Sequence, residues 1–339
     1  MAHMDIFNSD AFSLVNMTAG IEKMPTVPTY LGSLGIFESE GITTNIASIE
    51  QVGQTLSLIN TSARGTAPAM GSTDKRSMRN FNIPRIAKSD QLFAHEIQGI
   101  RAFGTESELE TVVQKVAQKK AKLLREVALT LEYHRLGAIQ GILLDADGST
   151  IYNYFTEFGI SAPTEVDFDL DNGTPAAGAL MAKTKGVKRS IIRALGTAAP
   201  GIRIIGLCGD AFFDALTSHP EVEKTYLNWM AAESLRAGEV FQSFRWGEIE
   251  WVNYQGTDDN STVAINTDKV KFIVQGVPGL FKRINGPGET FETVNTIGRD
   301  LYSMLVRDTD RDMWVQPEVY AYPLHICTRP EVLMSGRRT

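Results

Sequence analysis

The sequence predicts an α+β chain made of extended parts, and three stretches carry that expectation. A β-rich segment from Ile42 runs into a tip dense in glycine, serine and proline and then returns as a second strand. A stretch from about 106 to 140 holds one uninterrupted helical period, and the region from about 175 to 255 mixes helix and strand texture. A two-stranded ribbon is marginal alone in water. A helix of 35 residues is a rod of about 50 Å. Both parts need surfaces to lie on.

Residues 1–40 show no sustained period, and "PTVPTYLGSLGIFESEG" reads as an arm that lies on something else. "ITTNIASIEQVGQTLSLIN" is rich in β-branched residues and poor in helix formers, as strands are. Residues 61–77, "TSARGTAPAMGSTDKRS", have the composition of a mobile tip. "MRNFNIPRIA" returns as a strand, with Met78, Phe81 and Ile83 marking an imperfect alternation. The long helix opens with two capping boxes, Thr105 to Glu108 and Ser107 to Glu110. Leu109, Val112, Val113, Val116, Leu123, Leu124, Val127 and Leu131 then recur at three- and four-residue steps. Lys115, Lys119, Lys120, Lys122 and Arg125 are expected on the other faces. Ile142–Leu144 and Ile151–Phe155 read as strands around an Asp-Gly turn. A helix is expected over 176–195, stopped by Gly196, then the strand "IRIIGL", a short helix from Asp210, and another from Ser218 with Glu221 completing its capping box. "FQSFRW", "EIEWVNYQG" and "KVKFIVQ" are strands. "DMWVQPEVYAYPLHICT" is β-rich, with Pro317 and Pro323 expected at edges or bends. There is no internal repeat.

Composition bounds the function class. At 339 residues the chain is long enough for two or three domains, and 43% apolar with 22% charged residues is ordinary for a soluble globular protein. The net charge of −7 argues against holding nucleic acid by bulk electrostatics. Two cysteines, Cys208 and Cys327, cannot build a disulfide framework; apolar neighbours make them inert thiols in a reducing compartment. No run reaches the length of a membrane span, and the acidic N-terminus has no signal core. The opening "MAHM" reads as a cloning remnant ahead of Met4, which leaves His3 uninformative.

No stretch assembles a catalytic constellation. "GIRIIGLCGDAFFDAL", 201–216, has the strand–turn–helix order of a dinucleotide-binding loop but only G-x-x-G, and Asp210 would put a carboxylate where a pyrophosphate belongs. It is read as a corner with Asp210 as N-cap. "DADGST" lacks the glycine and glutamate positions of a calcium loop and reads as a hairpin turn, as does "LDNGT" near Asn172. His3, His95, His134, His219 and His325 show no metal-ligand spacing, and His134 is expected at a surface or interface. "RDTDRDMW", 307–314, is a solvated loop with local ion pairs. "KVAQKKAKLLR" and "KTKGVKRSIIR" are the wet faces of amphipathic helices. The expectation is no catalytic residue, no cofactor and no metal. A cofactor-dependent enzyme built on 175–280 is the runner-up class.

The joint order of these segments resembles the lambda-type tailed-phage major capsid protein family, capsid protein E. The strand, the tip with Arg64, Gly65, Ala67 and Pro68, and the return strand are similar to that family's extended loop. "LLREVALTLEYHRLGAIQGILLDADGSTIYNYFTEFG" resembles its long helix and hairpin, and "GIRIIGLCGDAFFDALTSHPEVEKTYLN" its strand–helix–helix segment. The resemblance, from about residue 30 to 339, implies a Hong Kong 97-like capsid fold. Its parts would be an N-terminal arm (1–40), an extended hairpin loop (41–90), a peripheral domain with the spine helix (91–170), an axial α/β domain (171–300) and a return to the peripheral domain (301–339). It implies self-assembly through hexamers and pentamers into an icosahedral head around double-stranded DNA, bound without sequence preference. Arg64, Gly65, Pro68, Lys75, Arg76, Arg79, Phe81 and Ile83 would make the intersubunit contact of the hairpin, with Leu56 and Leu58 also buried on the neighbour. With about 40 residues ahead of the hairpin, a scaffold would be a separate protein; a portal and a decoration protein are further partners, and assembly would occur in the host cytoplasm with no membrane. An encapsulin-like cargo shell shares the implied fold and is the alternative.

Overall fold

The computed structural model describes residues 30–52, 76–97, 105–196, 201–229, 243–254 and 263–339. After a single turn at Tyr30–Ser33 come β1 (Glu38–Gly41), β2 (Ile46–Val52), β3 (Arg76–Asn82), β4 (Ile86–Ser89) and β5 (Leu92–Phe93). A turn at Ala94–Ile97 precedes α1 (Thr105–Gln140), followed by β6 (Ile142–Leu144), β7 (Thr150–Asn153), α2 (Tyr154–Phe158) and β8 (Val166–Asp167). Then come α3 (Ala179–Leu195), β9 (Arg203–Cys208), α4 (Asp210–Thr217), α5 (Pro220–Trp229), β10 (Ser243–Trp246) and β11 (Ile249–Asn253). β12 (Lys269–Gln275), β13 (Phe281–Asn285), β14 (Tyr302–Arg307), β15 (Trp314–Ala321), β16 (Pro323–Cys327) and β17 (Ser335–Arg337) complete the chain.

The 36-residue α1 is the common wall of three hydrophobic clusters. Leu123, Leu124, Val127 and Leu131 pack on Val319 and Ala321 of β15. Two turns later Ala138 belongs to a cluster with Phe81, Tyr154, Leu324 and Ile326, while Leu136 and Ile139 face the core of the six-stranded sheet. The helical period therefore continues past Leu131 but rotates burial around the whole rod. Its lysines are not all wet, as the sequence suggested. Lys119 bonds Asp90 at 3.3 Å and the Gln91 carbonyl at 2.6 Å, Lys115 donates to the Glu96 carbonyl, and Lys120 is buried. Lys115 and Lys119 thus hold the 90–96 segment against the helix.

The six-stranded sheet runs β10-β11-β9-β12-β17-β8. β9 pairs parallel to β11 and antiparallel to β12, so the strand of the "IRIIGL" motif lies at the centre and is buried on both faces, as its continuous apolar run requires. Phe168, Phe212, Trp251 and Phe272 interlock over it, with neighbouring ring centroids 5.5–6.2 Å apart. β17 pairs β12 and β8, so 335–337 close the α/β sheet, while β15 and β16 pack on α1. A three-stranded sheet, β1-β13-β16, and a sheet of β14, β15 and β4 with β5 added complete the body. Pro317 lies inside a central strand, not at an edge. Its carbonyl accepts from the Asp90 amide at 3.2 Å, so its missing N–H faces the gap between β4 and β5, where no ladder bond is lost.

Helix ends differ from expectation in instructive ways. α3 begins three residues late because Gly178 adopts φ +81°. Gly178 offers no side chain as a cap, so Glu221 from α5 reaches across to accept the Leu180 and Met181 amides at 3.3 and 3.2 Å. Glu221 therefore caps another helix, and His219 Nδ1 accepts the Glu221 amide at 3.3 Å in place of the expected Ser218 cap. Tyr154 starts a helix where the sequence suggested continued strand, because Asn153 accepts from the Phe155 and Thr156 amides. The Asp145–Ser149 and Asp169–Thr174 turns and the Arg307–Asp312 pair at 3.0 Å match their expectations.

Two buried polar groups knit the layers. Glu132, 4% exposed, accepts the Leu31 and Gly32 amides at 2.7 and 3.2 Å and pairs with Arg135 at 3.2 Å. It also bonds Tyr254 beside β11, whose hydroxyl burial and this carboxylate push far above its usual range. His134 is buried rather than at a surface, and its ring lies 6.4 Å from that of His325. None of their four ring nitrogens has a hydrogen-bond partner among the described residues. Burial pushes His134 down to about 4, against a small opposing pull from Asp145. His325 is pushed well below its ordinary value by burial and by Arg135 and Arg283.

Replacing Glu132 by alanine is expected to cost about 3 kcal/mol, since two inward-facing amides lose their acceptor. Chemical denaturation measures the loss, and faster hydrogen exchange at Leu31 and Gly32 locates it. Both histidines are neutral in the fold and protonate more readily unfolded, so their stability is present above pH 6.5 and lost as pH falls. His134 alone accounts for about 3 kcal/mol by pH 4, on the shift from 6.5. Denaturation midpoints from pH 7 to 4.5 should fall steeply for the native chain and less steeply for His134→Asn.

Candidate functional site

The hairpin β2–β3 pairs in register from Ile46↔Asn82 to Val52↔Arg76. Its base is built into the chain's own core. Phe81 is fully buried, with its ring centroid 5.4 Å from Tyr152, 6.3 Å from Tyr154 and 5.9 Å from Phe158. Tyr152 clamps the strand end: its hydroxyl donates to the Asn82 carbonyl at 3.0 Å and accepts the Asn82 amide at 2.8 Å. Arg79 donates to the Phe158 carbonyl at 3.2 Å, and its guanidinium lies 5.7 Å from the Phe158 ring centroid. Ile83 is half-buried against the same cluster.

These contacts place part of the expected intersubunit set against the chain's own core. Phe81 has no surface left to give a neighbour, and Arg79 and Ile83 are already engaged at home. The reason is parity: residues 79, 81 and 83 share the face turned to Tyr152 and Phe158, while Met78 projects from the opposite face and is 68% exposed. Arg76 sits at the far end of the described pairing, opposite Val52. Arg64, Gly65, Ala67, Pro68, Lys75, Leu56 and Leu58 lie outside the described residues.

Sequence reading missed a second surface, the 286–301 connection between β13 and β14. There Phe291 is wholly exposed and Ile297 is 67% exposed, yet Gly298 is locked in place. A Cβ on Gly298 would stand 2.0 Å from the Asn285 carbonyl oxygen, and its amide donates to Ile42 at 3.0 Å. Asn285 in turn donates to Asp300 at 2.7 Å and Ser39 at 3.0 Å. Apolar side chains are thus presented from a fixed backbone. The signal available in "GETFETVNTIG" was a phenylalanine and an isoleucine set among turn formers.

The corner after β9 holds no phosphate cradle. A Cβ on Gly206 would lie 3.0 Å from the Trp251 ring, and one on Gly209 2.3 Å from the Asn266 carbonyl oxygen. The Phe212 amide, which a bound anion would need, donates to Thr267 at 2.8 Å. Gly209 occupies the N-cap position and Asp210 the first turn, one residue later than expected. Both glycines serve close packing. Burial raises the thiols of Cys208 and Cys327, the latter to about 12, which leaves them protonated and unreactive at neutral pH. Among the described residues no cluster of His, Cys, Asp or Glu could hold a metal ion, and no helix is long and apolar enough to cross a membrane.

Known proteins share this arrangement. The chain is 27% identical over 358 residues to the major capsid protein of Salmonella phage Felix O1, spanning 96% of each. It is 28% identical over 314 residues to that of Pseudomonas phage KPP10, spanning 86% of this chain and 87% of the relative. Among solved structures, a capsid chain of cyanophage P-SCSP1u aligns with a TM-score of 0.52 at 12% identity, covering 93% of this chain and 88% of that one. One of cyanophage A-1(L) aligns with a TM-score of 0.52 at 11% identity, covering 95% and 98%. The architecture is therefore the α+β Hong Kong 97-like capsid fold. The model described as phage major capsid protein E matches residues 13–338, and the chain belongs to that family.

Proposed function

We propose that the chain is the repeating subunit of a tailed-phage head, assembled through hexamers and pentamers into an icosahedral shell around double-stranded DNA. The observation that carries this reading is the hairpin, whose base is fixed by Phe81, Arg79 and Tyr152 while its outer face, with the exposed Met78 and Ile46, has no cover among the described residues. On this reading the six-stranded sheet is the axial domain, and α1 with the β14–β15–β4 sheet is the peripheral domain. Arg64, Gly65, Pro68, Lys75 and Arg76 make the hairpin's intersubunit contact, while the Arg79, Phe81 and Ile83 side chains set its direction. The net charge of −7 suits a shell that contains DNA without adhering to it. A separate scaffold, a portal and a decoration protein would complete the head in the host cytoplasm. The encapsulin-like alternative is disfavoured because both curated relatives are phage major capsid proteins.

Replacing residues 62–76 by a short Gly-Ser link is expected to leave the melting temperature of the free subunit nearly unchanged and to abolish shells in negative-stain electron microscopy. Normal shells from that variant would refute the hairpin's role, and loss of folding would place the tip in a core. Phe81→Ala should instead destabilise the free subunit by about 3–5 kcal/mol. Met78→Ala, at an exposed position, should stay within about 0.5 kcal/mol of the native chain in the same measurement.

A further inference from the structure

The face of the β14–β15–β4 sheet turned away from α1 carries a cavity of about 250 Å³ between the sheet and the 288–293 loop. Tyr302 pairs with Tyr320 and Met304 with Glu318 across β14 and β15, and cross-strand partners share a face. Three tyrosines, Tyr302, Tyr320 and Tyr322, and two carboxylates, Glu318 and Glu289, therefore converge on it. Glu289 is balanced: Arg85 pairs with it at 2.9 Å, the guanidinium lying 5.2 Å from the Tyr320 ring centroid. Glu318 is not balanced. It accepts from Gln316 at 2.8 Å and from the Tyr320 hydroxyl, both neutral donors, and forms no ion pair among the described residues. Burial and the adjacent carboxylates push the Tyr320 and Tyr322 hydroxyls up to about 12, so both stay neutral and the cavity keeps a net negative charge.

Aromatic faces around an uncompensated carboxylate select a cation. The surroundings narrow its kind. Phe291, wholly exposed, and Val294, 46% exposed, belong to the same connection as the lining residues Glu289 and Thr293. A charged head on an alkyl stem suits a carboxylate set among tyrosine rings, as lysine and arginine side chains do. This chain carries such groups where the hairpin leaves the described body, in "DKR" at 74–76. We propose that the pocket receives a basic side chain of a neighbouring copy of the chain, that of Lys75. The proposal rests on the shell reading above and names the receptor for the hairpin.

The test uses shells co-assembled from ordinary and ¹⁵N-labelled full-length chains, treated with a water-soluble carbodiimide that condenses touching carboxylates and amines. Mass spectrometry should find mixed-isotope peptides joining Glu318 or Glu289 to Lys75, absent from dissociated subunits. Glu318→Gln should raise the subunit concentration needed for assembly about tenfold, the value of one partly buried charge pair. It should leave the melting temperature of the free subunit unchanged. Glu318→Lys should block assembly, and combining it with Lys75→Glu should restore it. Wild-type shells without the crosslink, or Glu318→Gln assembling like wild type, would overturn the proposal alone. Wild-type chains that form no shells would overturn the shell reading and the proposal with it. Saturable binding of free n-butylammonium that needs Glu318, with no crosslink in shells, would make this a small-cation site and overturn the second-copy assignment.

Discussion

The structure depends on one buried carboxylate. Glu132 projects from the long helix into a region where an unpaired charge would cost several kcal/mol, and three separate pieces of chain meet to neutralise it. The arm supplies the Leu31 and Gly32 amides, the helix supplies Arg135, and the six-stranded sheet supplies Tyr254. Hydrophobic burial is non-directional and would tolerate a sliding helix. A carboxylate with fixed acceptor directions does not, so Glu132 sets the register of the rod against both neighbours. Packing then fills in around that fixed point, with Leu136 and Ile139 on one side and Ala138 on another.

A helix that walls three cores couples them mechanically. Strain applied where Lys88 and Lys119 hold the β4–β5 edge is transmitted along a rod that also anchors the six-stranded sheet. Rods transmit displacement well because an intact helix has no soft backbone torsion between its ends. The hairpin base shares the middle cluster through Phe81, so its direction is tied to the same rod. The fold thus offers a stiff frame with protruding parts aimed by it.

Long-period features were legible in the sequence, and groups fixed by distant contacts were not. The helix over 105–140, the strand at 269–275 and the stop at Gly196 follow from local patterns and match within a residue or so. His134 was misjudged because its neighbours Tyr133 and Arg135 suggest a surface; β16 covers it with His325, a residue 191 positions later on the chain. Glu221 fitted a local capping box, yet it caps α3 because Gly178 leaves that helix end without a side chain. Phe81 shows the same limit. Alternation marked it as inward, but only the folded chain reveals that the covering rings belong to the same subunit. The pocket under the 288–293 loop gave no linear signal, since its tyrosines come from two strands and the link after the second, and its rim from the preceding loop.

The placement of β17 has a consequence in time. Ser335–Arg337 fills the slot between β12 and β8, and Arg337 meets Asp167 across 170 positions of sequence. Gly336 is fitted to that slot, since a Cβ there would lie 2.5 Å from the Phe168 ring. During synthesis the sheet therefore stays open at β12, with Phe168 and Val270 uncovered, until the 335–337 segment has left the ribosome. Such late, long-range pairing is slow and leaves an adhesive edge exposed meanwhile. The same delay leaves the six-stranded sheet unfinished in any shorter, half-made chain, so its last slot is filled only after Ser335–Arg337 arrives.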